Sequence, residues 1–179
     1  MSFDLARVRG LYPTLGSGLA PLEGSFSALQ PETVIRAIIT TLRSAPAQPG
    51  SRSPRSTRSA TSLQAARVAI ADLVGGQAQS VVLGANLSTL MLQFTSLLAA
   101  DWQLGDDIVV SRLDHDSDLR PLMAAARIAG ASVRWAEVDL ESGELPDWQY
   151  DRLITSHTRV VTVPLANAST GTVPQVRAI

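Results

Sequence analysis

The chain has 179 residues, 45% of them hydrophobic, and a formal net charge of -1, which suits one well-filled core and is too short for two full domains. Such a balance gives no broad field to gather nucleic acid or anionic lipid, although Arg52, Arg55 and Arg58 form a local basic run. With no cysteine and with arginine at all fifteen basic positions, disulfides, a thiolate nucleophile, a cysteine zinc site and a side-chain amine are excluded from this stretch.

No charged-then-apolar leader and no apolar run of membrane-spanning length stands out, so the expectation is a soluble, cytoplasmic protein with no membrane or nucleic-acid partner. Residues 1–30 hold short apolar groups broken by Gly10, Gly16, Gly18, Pro21 and Gly24, the pattern of an irregular arm. Gln30 and Pro31 open a helix to about Arg43, with Val34, Ile35, Ile38, Ile39 and Leu42 on one face. Ser44 to Ser56 is too polar to pack and predicts a loop. A second helix follows, with Leu63, Ala66, Ile70 and Leu73 on one side and Gly75-Gly76 at its end.

Beyond it, strand and helix patterns alternate. Val81 to Gly84 predicts a strand, Leu87 to Ala100 a helix and Asp107 to Arg112 a strand. Pro121 to Ala129 predicts a helix closed by Gly130, Ser132 to Asp139 a strand, Trp148 to Thr155 a short helix, and Arg159 to Ala166 a strand. Pro174 to Ile179 reads as the start of another helix. The implied fold class is α/β: a mainly parallel sheet with helices on both faces, in one domain over residues 31–179.

Ligands of open parallel sheets bind beyond the carboxyl ends of the strands, which singles out three segments. Gly84-Ala85-Asn86-Leu87-Ser88-Thr89 enters a helix and can cradle an anion with its amides and hydroxyls, or can be an ordinary helix cap. It lacks the lysine and glycine spacing of a Walker loop. Ser111 to Asp118 places His115 among Asp114, Asp116 and Asp118; without the glycine and later glutamate of a calcium loop, the residues point to a general acid or base, or to a ring that stacks on a cofactor, and not to a metal. Asn167 to Thr172 offers an amide and hydroxyls to a polar ligand, or is simply a turn. His157 lies in a polar turn and reads as solvated.

Together and in this order the segments resemble the class V aminotransferase and cysteine desulfurase family of pyridoxal-phosphate enzymes, fold type I, in its actinobacterial-type branch. The resemblance rests on Val8 to Pro13, Val82 to Leu90, Asp107 to Asp116, Val133 to Asp139 and Gly171 to Val173. It implies that Asn86, Ser88 and Thr89 hold the phosphate of pyridoxal 5'-phosphate, that His115 stacks on the ring and moves protons, and that Asn167 approaches the ring oxygen. It further implies an amino-acid substrate and a homodimer. The family's spacing from that asparagine to the next Gly-Thr is one residue shorter than here, and its early Asp-Asn-Ala segment is replaced by Leu22 to Ala28. The family's Schiff-base lysine and pyridine-pairing aspartate lie beyond residue 179, so the chain is expected to be the amino-terminal portion, not competent by itself. The alternative is a catalytically silent relative that serves as a binding or partner protein.

Overall fold

The structure, a computed structural model, describes residues 3–18, 20–25 and 28–179, divided into two units, residues 1–83 and 84–179. In the first unit the expected arm contains a short helix, α1 (Leu5–Gly10), because the Asp4 carboxylate accepts from Arg7 N at 3.0 Å and caps it. A 3-10 turn follows at Pro13–Ser17. Pro31, in extended backbone, introduces α2 (Glu32–Arg43), whose start is tied to the arm by Glu32 N donating to Leu11 O at 2.8 Å.

Helix α3 (Pro54–Val74) begins two residues before the expected end of the loop. Ser53 caps it by accepting from Ser56 N, and Pro54 stands where no intrahelical donor is needed. The buried Ser56 hydroxyl donates to Gln48 O and accepts from Ser51 N, which pins the polar loop to the helix. Gly75 ends α3 at φ 67, a left-handed conformation that glycine adopts without strain. The segment 81–84 is not a strand: it has no ladder partner among the described residues, and Val82 is 71% exposed. An apolar run confers strand propensity, but a strand exists only beside another.

In the second unit Asn86 caps α4 (Leu87–Leu98), and a 3-10 turn at Ala99–Asp101 leads to β1 (Asp107–Ser111). Helix α5 (Asp116–Ala129) begins five residues before the proline expected to open it. His115 supplies the cap, Asp116 and Asp118 suit the positive end of the helix, and Pro121 is carried inside near the start at the cost of one backbone bond. Then come β2 (Ser132–Ala136), a 3-10 turn at Asp147–Gln149, the one-turn α6 (Tyr150–Leu153) and β3 (Thr158–Val161). Residues 174–179 form turns rather than a helix.

The strands make a parallel sheet in the order β2-β1-β3. Every residue of β1 is buried, as expected of a central parallel strand. Ile108 and Val110 face Leu119, Leu122 and Ala126 of α5. On the opposite face Val109 packs with Leu113, Ala136, Leu145 and Tyr150, joined by Leu153 of α6. Helices therefore cover both faces, and fully burying each large aliphatic side chain contributes roughly 1.5–3 kcal/mol. At its amino end β1 is held by acids: Asp107 pairs with Arg134 at 3.2 Å and accepts from Thr155 and Thr158, and Asp106 pairs with Arg159 at 2.9 Å. Among the described residues no helix is long and apolar enough to cross a membrane.

Candidate functional site

The carboxyl ends of β1 and β3 lie side by side, and the chain leaving each one is bonded to the other. Arg112 N extends the ladder to Ala136 O at 3.0 Å, after which Asp114 N donates to Ser111 O at 3.2 Å and turns the chain. The Asp114 carboxylate accepts from Ser111 N at 3.1 Å and from the Thr162 hydroxyl. Thr162, the first residue after β3, also donates its amide to Val109 O at 2.9 Å. Asn167 Nδ2 donates to Leu113 O at 2.7 Å, from 54 residues away in sequence.

This arrangement presents His115 at the head of α5, with its side chain exposed. Ser117 N donates to His115 Nδ1 at 3.1 Å, and the Ser117 hydroxyl lies 2.8 Å from the same atom. A backbone amide only donates, so Nδ1 is an acceptor and the ring proton of the neutral imidazole sits on Nε2. That leaves Nε2–H and the ring faces for a ligand. Asn167 Oδ1 accepts from Ser169 N at 2.8 Å and Thr170 N at 2.9 Å, which fixes its turn. One proton of its amide goes to Leu113 O and a second remains for another acceptor.

The electrostatics beneath the turn are those of a buried polar nest. Burial pushes the Asp114 carboxyl above the usual carboxylate range, Asp118 adds to the rise, and the bonds from Thr162 and Ser111 oppose it. Tyr150 is 1% exposed, and its hydroxyl has no hydrogen-bond partner among the described residues. Burial, followed by the nearby Asp114 charge, pushes its phenol up to about 12; the Ser111 hydroxyl pulls weakly the other way without reaching bonding geometry. On the rim, the Arg120 guanidinium at 2.8 Å holds Asp116 below the usual range. Arg112 stacks over Trp135 at 3.8 Å and reaches Glu137 at 3.3 Å.

The Gly84–Thr89 segment supplies the start of α4. Asn86 Oδ1 accepts from Thr89 N at 2.9 Å, while Leu87 N and Ser88 N have no acceptor among the described residues. Two free amides and the exposed Ser88 and Thr89 side chains leave donors of the kind an anion can use at this end. A Cβ at Gly84 would meet Leu90 Cδ2 at 2.6 Å, so this approach needs a glycine as the side chains stand. Helix α4 packs against α5, the helix that His115 heads, but no hydrogen bond joins Asn86, Ser88 or Thr89 to His115 or Asn167 among the described residues. The Asn167 side chain is thus tied to the turn that leads into His115, and the α4 end belongs to the same unit.

Leu22 to Ala28 is in the first unit, and Phe26 and Ser27 within it lie outside the described residues. His157 is exposed, and its carbonyl accepts from Asp107 N. Sequence reasoning passed over Tyr150 and Thr162. Thr162 carried one usable signal, a hydroxyl directly after an apolar strand that ends at the ligand-binding edge.

Residues 22–179 match the family model described as Aminotransferase class-V. The chain is 41% identical over its whole length to a protein of Mycobacterium tuberculosis described as Uncharacterized protein MT3887, spanning 45% of that protein. It is 30% identical to a probable cysteine desulfurase of Aeropyrum pernix, over 99% of the chain and 43% of the relative. The apo structure of the cysteine desulfurase from Thermococcus onnurineus NA1 superposes with a TM-score of 0.88 at 21% identity, over 99% of the chain and 44% of that structure, which shows a shared fold. The chain therefore spans a little under half the length of these relatives.

Proposed function

Because the chain belongs to the class-V aminotransferase family, we propose that it is the amino-terminal portion of a pyridoxal-phosphate-dependent transferase or lyase that acts on an amino acid, with residues 31–179 as the start of the cofactor-binding large domain. The observation that carries this reading is the turn after β1, where His115 offers Nε2–H and an open ring face and the Asn167 amide bonds the same turn at Leu113 O. The residues present fit the cofactor. The free amides of α4, with Asn86, Ser88 and Thr89, would hold its phosphate; His115 would stack on its ring; the second amide proton of Asn167 would reach its ring oxygen.

Pyridoxal phosphate, when bound, supplies the electron sink that stabilises negative charge at the amino acid's α-carbon. His115 holds a proton at Nε2, where it can be donated in a hydrogen bond to a bound ligand, and the Ser117 N–H bond keeps that tautomer in place. No side chain here can act as the covalent amine, since the chain contains no lysine. Catalysis by this chain alone is therefore not expected. A cytoplasmic location and a homodimer belong to the same proposal; the exposed apolar residues Ile38 and Leu42 on α2 support only the homodimer.

The test is to titrate the chain with pyridoxal phosphate and follow the cofactor's visible absorbance and fluorescence. Weak binding that borohydride does not fix to the protein, and that His115→Ala abolishes, is the expected result. A borohydride-stable adduct on a side chain, or binding indifferent to His115→Ala, would overturn the assignment. If the complete protein neither binds the cofactor nor contains a lysine, the chain is instead part of a silent scaffold.

A further inference from the structure

The geometry points to Asp114 as the positioning residue for His115, acting with Thr162 to set where the imidazole stands at the carboxyl ends of β1 and β3. Among the described residues the His115 ring is hydrogen-bonded only within its own turn, both times to Ser117, two residues on. Local bonds of that kind fix the ring relative to the start of α5 but do not fix that start relative to the sheet. Leu119 packs the helix on β1, and the polar attachment beside His115 comes from the preceding residues. Asp114 joins Ser111 N, at the last position of β1, to the Thr162 hydroxyl, 48 residues away and just past β3. One carboxylate therefore ties the His115 turn to β1 and to the chain that leaves β3.

Two features separate this role from generic packing. The carboxylate is partly buried in a nest whose other members, Ser111 and Tyr150, are fully buried, so a lost bond is not simply replaced by bulk water. Both groups that meet the bonded carboxylate oxygen are donors, an amide and a hydroxyl, so the position calls for an acceptor rather than for volume. Asparagine can keep both bonds with its carbonyl oxygen. Alanine keeps neither. The inference rests on the ligand-facing role given above to His115, but its first readout does not involve a ligand.

The chain has two histidines, so NMR of the imidazole nitrogens resolves His115 and leaves His157 as an internal reference. Asp114→Ala and Thr162→Ala are expected to shift or broaden the His115 Nδ1 signal and the Ser117 amide, whereas Asp114→Asn and Thr162→Ser keep them near their wild-type positions. Val133→Ala, a truncation on β2 against the core, is the control for stability loss and is expected to leave both signals in place. In the same samples, affinity for pyridoxal phosphate should fall by about tenfold or more in the two alanine variants. Wild-type His115 and Ser117 signals in Asp114→Ala, or an equal displacement in Val133→Ala, would overturn the inference. If Asp114→Ala does not fold, the comparison of Thr162→Ala with Thr162→Ser decides it by the same signals. Shifts as expected in a chain that does not bind pyridoxal phosphate support the positioning role and overturn the cofactor reading instead.

Discussion

Replacing Tyr150 by phenylalanine is expected to stabilise the unit formed by residues 84–179. The ring is 1% exposed and belongs to the core cluster with Val109, Leu113, Ala136 and Leu145, while its hydroxyl has no partner among the described residues. An unsatisfied buried hydroxyl costs about 1–3 kcal/mol, and removing a single oxygen forfeits only ~0.5 kcal/mol of contacts. The net expectation is a gain of about 1 kcal/mol, or roughly 4–8 °C in the melting midpoint of a unit of this size. The phenol adds a pH signature. Because its folded pKa is raised to about 12 from an ordinary 10, the protonated form is the one the fold favours. Its contribution is full below about pH 10 and is lost as pH rises through about 12. Urea denaturation at pH 8 and again between pH 10 and 12 measures both effects, with Tyr150→Phe losing part of the alkaline decline. A variant less stable than wild type by 1 kcal/mol or more at pH 8 would show that the hydroxyl is bonded after all, and the orphaned nest would have to be abandoned.

Asp107→Ala leaves Arg134, Thr155 and Thr158 without their buried acceptor and should cost roughly 2–4 kcal/mol by chemical denaturation; a loss under 0.5 kcal/mol would mean that β1 does not depend on this anchor. On the acid side, Asp106 is lowered first by its bond from Gln103 N and then by Arg159, and Asp116 is lowered by Arg120. Their stabilisation is present above the ordinary carboxylate pKa and is lost as pH falls through the depressed values, so Asp106→Asn should flatten the acid limb of a stability-pH curve. Asp114 has the opposite sign: raised by burial, it contributes stability that is full at low pH and lost as pH rises through its folded value, so Asp114→Asn should flatten the curve just above the ordinary carboxylate range. Asn86→Ala removes the acceptor for Thr89 N and should cost α4 about 1 kcal/mol. The same change should weaken phosphate binding in a fluorescence titration, and unchanged affinity would remove Asn86 from the cradle.

Much of the second unit could be read from its sequence because the signals are local. Ile108-Val109-Val110 is an apolar β-branched run, and Gly130 closes α5 in the left-handed conformation at φ 72. His115 could be placed because it follows a strand at the edge where α/β sheets bind ligands. The errors came where partners decide the outcome. Val81 to Gly84 has the residues of a strand but no neighbour to pair with among the described residues, and Pro121 has the sequence mark of a helix start, whereas the His115 cap and the acids Asp116 and Asp118 begin α5 five residues earlier. Tyr150 and Thr162 meet the His115 turn from 35 or more positions away in sequence, a convergence that spacing cannot reveal.

The complete enclosure of β1 bears on how the His115 turn behaves in time. A strand flanked on both sides and sealed on both faces gives up its amide protons only when the whole unit opens, so Ile108, Val109 and Val110 should be among the slowest to exchange with deuterium. His115 stands four residues past that rigid rod. Whatever wandering the imidazole shows on fast timescales therefore originates in the short bend between Ser111 and His115, and stiffening that bend is the direct way to quiet it.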